Sequence, residues 1–390
     1  MKRIYLDNHS TTKPDEQIVA QMLPYLKDKW ASYVQPHDEG QKLIPDVIGA
    51  YEKIKDLVQA TDQETVVFTS SRVEATNHVL DHVYRSVVRE SGRNHLIALS
   101  SEEAPILMPI KRLESLGCHT TYLPVGLSGS VSLQDIEEAI TPRTALITFS
   151  LANGMTGVLQ NIEGLKEICA LRGILLHLEI SYVLGKIEID FQELGADFVT
   201  FGGELLHGPK SSGALIVKDS VELMPFILGG HEQNGLRGGT LDLASLMGFA
   251  TACSLMKSHL SEMNLEVARL RNLFEKKIVK ELDQVQVLFQ THARLPNVAV
   301  IAFEQVHSDS LLYTLNKRGV AASIGGGVFQ KLSLLLEGMG YPAKLSNTAL
   351  SFSFSRETSL EDLQVVIGIL VEEVKRLRLM TQKLELVYES

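Results

Sequence analysis

Between about residue 16 and residue 215 the chain alternates two kinds of segment, and this alternation restricts its fold more than any other feature. Stretches with helical spacing, such as 45–59 (PDVIGAYEKIKDLVQ), are followed by short apolar runs: TVVFTS, HLIALS, TTYLPV, TALITFS, ILLHLEI, DFVTFG and GALIVK. An amphipathic helix buries one stripe of its surface. A strand that is apolar at nearly every position has to be covered on both faces. Together they predict an α/β chain, a three-layer sandwich with a mostly parallel central sheet. Strand ends run into polar or glycine turns, among them Thr69-Ser70-Ser71, Ser100 to Glu103 and Gly202-Gly203. Ligands of such sheets sit beyond the carboxyl ends of the strands, so chemistry is to be sought in these turns.

From about 242 to 282 the pattern becomes helical, first DLASLMGFATACSLM and then the charged amphipathic stretch SEMNLEVARLRNLFEKKIVKEL. A strand-like NVAVIAF (297–303), a helix (SDSLLYTLNKRG) and a second strand, ALSFSFS (349–355), follow. A last helix is expected to start near Ser359, with serine as its cap and Glu361 and Asp362 in its first turn. A chain of 390 residues exceeds one simple core. We expect a large domain over 16–258 and a smaller α/β domain built from 1–15 and 259–390, with no internal repeat and no low-complexity linker.

The net charge of −10 argues against a nucleic-acid partner held by phosphate contacts. The basic run Lys375-Arg376-Leu377-Arg378 reads as the solvated face of a helix. No apolar run approaches the roughly 20 residues that span a bilayer, and no apolar signal core follows the N-terminal basic residues. A cytoplasmic protein without membrane contact is expected. The three cysteines, Cys118, Cys169 and Cys253, are far apart and form no CxxC pair, so neither a disulfide framework nor a zinc site is expected. Cys169 and Cys253 lie in apolar, helix-like settings and read as buried structural thiols.

Four short motifs in order carry a resemblance over nearly the whole chain. They are YLDNHSTT at 5–12, His37 and Gly40 in an H-x-x-G pattern, DFVTFGGELLHGPKSSGAL at 197–215, and GGHEQNGLRGGT at 229–240. The chain resembles the cysteine desulfurase branch of the class V aminotransferases, enzymes of fold type I that use pyridoxal phosphate. The resemblance implies that fold, a cofactor site at the strand ends and a homodimer whose 229–240 loop crosses to the partner.

Residue by residue, the chemistry of that family is not matched. Gly208-Pro209-Lys210 and Phe201 fix the register of the cofactor-lysine segment, and the Schiff-base position is then Leu205, which has no amine. Lys210 matches a second, non-catalytic lysine and reads as structural. The histidine and serine that help hold the cofactor phosphate are Glu204 and Gly202. The aspartate that pairs with the pyridinium nitrogen is Glu179, and the glutamine that bonds the phenolic oxygen is Tyr182. The second asparagine of an N-N-E segment is Gly154. The threonine of the phosphate-gripping turn is Val73, beside Arg72, and the histidine that stacks on the ring is Glu103. The loop of the nucleophilic cysteine, Ala321 to Gly327, has no cysteine, and Gly326 is our placement of the lost one. The arginine that clamps the substrate carboxylate is Ser351, whereas Arg356 matches a second arginine of the family. Thr240, which in the family reaches the partner's phosphate, and Arg237 are retained.

The resemblance therefore implies a pseudoenzyme without a covalently bound cofactor and without desulfurase activity. It would have a binding or regulatory role in sulfur or iron–sulfur metabolism, pairing with itself, an active desulfurase or a sulfur-transfer protein. The alternative is a repurposed enzyme in which Glu103, Glu179 and Glu204, with His207 nearby, hold a cation or do acid–base work. Plainer is that these acids are solvated or paired with Arg72 and Arg237. A lesser alternative is an ordinary cysteine desulfurase. Any ligand of the old cavity should be cationic, because the new acids repel a phosphate dianion; no metal ligand set is read from the sequence.

Overall fold

The structure, a computed structural model, describes residues 3–327 and 330–388. Its strands are β1 (Ile4–Tyr5), β2 (Thr65–Thr69), β3 (His95–Leu99), β4 (His119–Leu123), β5 (Thr144–Ser150), β6 (Leu175–Glu179), β7 (Phe198–Gly202), β8 (Gly213–Val217), β9 (Val285–Leu288), β10 (Val298–Phe303), β11 (Val320–Ala321) and β12 (Ala349–Ser353). Seven of them form the central sheet, in the order β2-β8-β7-β6-β5-β3-β4. The pairs among β3 to β7 are parallel, and β8 runs antiparallel to both of its neighbours. The sequence-based α/β sandwich with a mostly parallel sheet is the observed one.

The sheet is covered on both faces, which is why its strands are continuously apolar: every residue of β3, β7 and β8 is buried. One face meets the helix Leu243–Ser258, which packs against the helices Glu16–Lys27 and Ile44–Leu57. Eleven of its residues are buried around its whole circumference, so it shows no single apolar stripe. The other face meets the helices Arg72–Val83 and Ala104–Ser115, through a separate cluster that includes Val79, Ile106, Ile110, Leu146 and Phe198.

Toward the C-terminus, β12, β10 and β9 form an antiparallel sheet. The N-terminal strand β1 pairs with β11, and Asp7 bridges to Ser353, so the first residues of the chain sit with the last third. The expected boundary at 258/259 falls inside a helical run that continues through Leu260–Glu262 to Ala268–Glu281. The last helix spans Leu360–Tyr388. Its basic run is only partly solvated: Arg378 donates to the carbonyl oxygens of Asp283, Gln284 and Glu304, which ties the helix to the loops flanking the small sheet. All three cysteines are buried and free. Among the described residues no helix is long and apolar enough to cross a membrane.

Candidate functional site

Parallel strands deliver their carboxyl ends to one edge of the sheet, and the residues after them converge there. After β2, Ser71 caps the helix Arg72–Val83 by accepting from the Glu74 amide. That places Arg72 in the first helical turn, with its side chain running inward over the sheet edge. After β3 comes Glu103, β6 ends on Glu179, and Glu204 lies in the 3-10 turn Gly203–Leu205 after β7.

These groups close on one another. Arg72 is buried, and its three nitrogens each face a different carboxylate: Nη2 lies 3.5 Å from Glu103, Nη1 3.6 Å from Glu179, and Nε 3.2 Å from Glu204. Its Nη2 also donates to the Tyr182 hydroxyl at 3.0 Å, and the guanidinium carbon lies 4.9 Å from the centre of the Tyr182 ring. The Tyr182 hydroxyl in turn donates to Glu103 at 2.7 Å. A cation in the first turn faces the positive end of the helix dipole and is disfavoured there on its own. Three carboxylates reverse that balance.

Burial sets the protonation of the group. It pushes Glu103 up to about 7 against the pull of Arg72, and it raises Glu179 above the ordinary carboxylate range. Burial alone would lower the Arg72 guanidinium, but Tyr182, Glu179, Glu103 and Glu204 outweigh it and hold the group charged. Just below lies Glu102, pushed up to about 8 by burial, with its carboxyl accepting from the amide and hydroxyl of Ser150. The crevice beside it, lined by Ser101, Glu102, Glu103, Ser150, Asn153 and Gln160, is too narrow for a water molecule.

Two glycines make the closure possible. A Cβ at Gly154 would stand 2.4 Å from the Tyr182 ring, and one at Gly202 would stand 2.2 Å from a Glu204 carboxylate oxygen. Leu205 is buried in the apolar core. The structure thus brings together Glu103, Gly154, Glu179, Tyr182, Gly202, Glu204 and Leu205. It does not bring in the others. Val73 is on the surface, and so is Thr240. His207 turns away: its ring bonds the Lys13 carbonyl, its amide donates to Thr12, and burial drops its pKa to about 4. Arg237 pairs with Glu74 at 2.8 Å and with none of the three cage acids. Lys210 reaches Thr11 and Thr12 of the N-terminal segment. Among the described residues no group of three His, Cys, Asp or Glu side chains is arranged to hold a metal ion.

The substrate side is rebuilt in the same way. The Ser351 hydroxyl donates to the Met155 carbonyl at 2.6 Å, and the Ser351 backbone bridges to Ser323. In the loop Ala321 to Gly327, Gly325, Gly326 and Gly327 all have positive φ (82°, 123° and 61°), a region that disfavours any residue with a side chain. One residue escaped the reading of the sequence: Lys186 is buried behind Glu179, with its pKa lowered by burial to about 8. Its only signal was a lysine within the apolar run YVLGKIEI.

The family model of class-V aminotransferases matches residues 4–366. A cysteine desulfurase of Trichormus azollae is 32% identical over 381 residues, covering 97% of this chain and 94% of that protein. The chain belongs to the cysteine desulfurase family. A solved NifS-like protein superposes with a TM-score of 0.87 at 24% identity, covering 96% of this chain and 99% of its own, and shares the fold. A structure of SspA in complex with cysteine aligns with a TM-score of 0.78 at 27% identity, over 91% of this chain and all of its own. Cysteine desulfurases are pyridoxal-phosphate enzymes. The residues at these strand ends do not fit that group, because Arg72 and Tyr182 fill the space, Leu205 offers no amine, Glu103 stands where the family stacks a histidine on the ring, and Glu204 stands where it has a phosphate ligand.

Proposed function

We propose that this chain is a cysteine desulfurase family member that has lost pyridoxal-phosphate chemistry and works as a binding or regulatory protein in sulfur or iron–sulfur metabolism. The observation that carries the reading is the Arg72 guanidinium enclosed by Glu103, Glu179, Glu204 and Tyr182 where the strand ends converge. A site under erosion alone would lose ligands and stay open. Here Tyr182 takes up the space that a side chain at 154 would need, and Arg72 is drawn in among the acids. The same closure speaks against an acidic pocket at work on a new substrate, since the acids are spent on the chain's own arginine.

Homodimer formation is part of this proposal. Leu228 and Ile227, just before the 229–240 loop, are 80% and 38% exposed, and Trp30 is 77% exposed, which leaves apolar surface for a partner to cover. A second copy, an active desulfurase or a sulfur-transfer protein would each fit, and sedimentation at micromolar concentration tests the first. Activity is tested by incubating the protein with excess pyridoxal phosphate, reducing with borohydride and mapping adducts by mass, beside a sulfide-release assay with cysteine. The expected result is neither adduct nor sulfide. An adduct on Lys186, Lys210 or another lysine, with sulfide at a catalytic rate, overturns the proposal.

A further inference from the structure

We propose that the strand-end cage is a guanidinium-binding site, filled from within the chain by Arg72. The inference rests on the reading that no cofactor occupies this place. The cage is matched to a guanidinium in three respects. Its carboxylates come from three separate elements and lie against three different nitrogens, at 3.5, 3.6 and 3.2 Å. The Tyr182 hydroxyl supplies an acceptor to Nη2 at 3.0 Å. The Tyr182 ring lies 4.9 Å from the central carbon, within the reach of a cation–π contact. A planar, delocalised cation can meet all of these at once, whereas an ammonium is a compact point charge that has to favour one or two carboxylates. Glycines at 154 and 202 leave the ring and the Glu204 carboxylate free to take these positions. Glu204 is the most exposed member, with 18% of its side chain open, so solvent reaches the cage from its side.

Arg72→Ala removes the occupant and leaves its receptor. The atoms lost beyond Cβ are those of ethylguanidinium, which is therefore the probe. Urea is the denaturant of choice, because guanidinium chloride would itself supply a ligand. We expect Arg72→Ala to unfold at lower urea than the wild type. We expect ethylguanidinium to raise its midpoint in a concentration-dependent way, by roughly tenfold in the folded-to-unfolded ratio at about ten times the dissociation constant. n-Propylammonium and pyridoxal phosphate at equal concentration should do neither, and the wild type should respond to none of the three. If Arg72→Ala does not fold alone, its refolding yield with and without ethylguanidinium is the readout. Arg72→Lys keeps the charge and should still be less stable than the wild type. Equal rescue by propylammonium, no rescue by ethylguanidinium, or an Arg72→Lys variant as stable as the wild type overturns the cage. A wild-type protein that forms a lysine adduct with pyridoxal phosphate overturns instead the reading on which it rests.

Discussion

The Tyr182 ring occupies the space that a side chain at position 154 would need: a Cβ there would stand 2.4 Å from Cζ and 2.8 Å from the hydroxyl oxygen. Gly154 is thus required by close approach and not by its backbone angles, since it is absent from the positive-φ residues. The pairing of Gly202 with Glu204 repeats the arrangement on the next strand. At 154 and 182 a position that lost a polar side chain stands against a neighbour that gained bulk, whereas at 202 the near atom is the free end of the Glu204 carboxylate. The departures at 154 and 182 therefore act as a pair that fills one volume.

Gly154→Ala should cost about 1–3 kcal/mol, the usual range for overpacking a filled interior, read from urea midpoints. Gly154→Asn should cost more. Combining it with Tyr182→Gln should cost less than the two single changes added together, because the pair competes for one space. Gly49→Ala is the control, in a helix with nothing within 4 Å of the added Cβ. It should be neutral or stabilising by up to about 1 kcal/mol. Additive behaviour at 154 and 182 would remove the argument that the substitutions are coupled.

The contribution of Glu102 and Glu103 to stability should fall as pH rises from about 4.5 to about 8. Burial raises Glu103 from 4.5 to about 7 and Glu102 from 4.5 to about 8, so between these values the folded chain holds protons that the unfolded chain has released. The contribution of each group is complete below the unfolded value and is lost as pH passes through the folded one. Glu102→Gln with Glu103→Gln keeps the shape and removes the titration. The thermal midpoint of the wild type, taken relative to that of the double variant at the same pH, should decline across this window. Parallel curves would contradict the assignment.

Much of the scaffold was legible because it follows from periodicity. The runs at 65–69, 95–99, 144–150 and 198–202 are strands because each has to be buried on both faces. The two-residue strands β1 and β11 are too short to leave any period, and β9 is only partly buried. At the site, Leu205, Glu179 and Tyr182 could be placed by register, but the sequence leaves open whether the acids are solvated or paired, and with which arginine. Arg72 stands beside Val73 and, with Arg237, is one candidate partner of the acids; the structure pairs Arg237 with Glu74 and Arg72 with all three. Its direction is decided by acids from three other loops, a contact among residues as far apart as 72 and 204. His207 was expected near the acids. The left-handed backbone there (φ 57°) and the bonds to Thr12 and Lys13 turn it toward the N-terminal segment, a long-range contact that local sequence does not carry.

Arg72→Met should be far more damaging than neutralising one acid. Removing the cation strands at least two buried carboxylates, a loss of about 3–5 kcal/mol for a broken buried pair. Glu204→Gln removes the most exposed acid from a cage that has three carboxylates for one guanidinium, and should change stability by less than about 1 kcal/mol. Urea unfolding of both variants at one pH makes the comparison. Equal losses would mean that the carboxylates are needed as charges and not merely as shape and acceptors.

Restoring the missing lysine alone should not restore the family chemistry. Leu205 is 2% exposed within the apolar core, so Leu205→Lys would place an amine where burial depresses its pKa and favours the neutral form, at a cost in stability. The amine would still face a space filled by Arg72 and Tyr182, and any phosphate would meet Glu204 where the family has a histidine. The nucleophile loop would still hold Gly325, Gly326 and Gly327 at positive φ and carry no sulfur, although at Gly326, our placement of the lost cysteine, an added Cβ would meet nothing within 4 Å. The expected outcome for the Leu205→Lys variant is a less stable protein that gives no borohydride-reducible adduct at position 205 and no sulfide. A reduced adduct at that position would show that the Arg72 cage opens readily, and sulfide release would show that a thiol outside the 321–327 loop can serve.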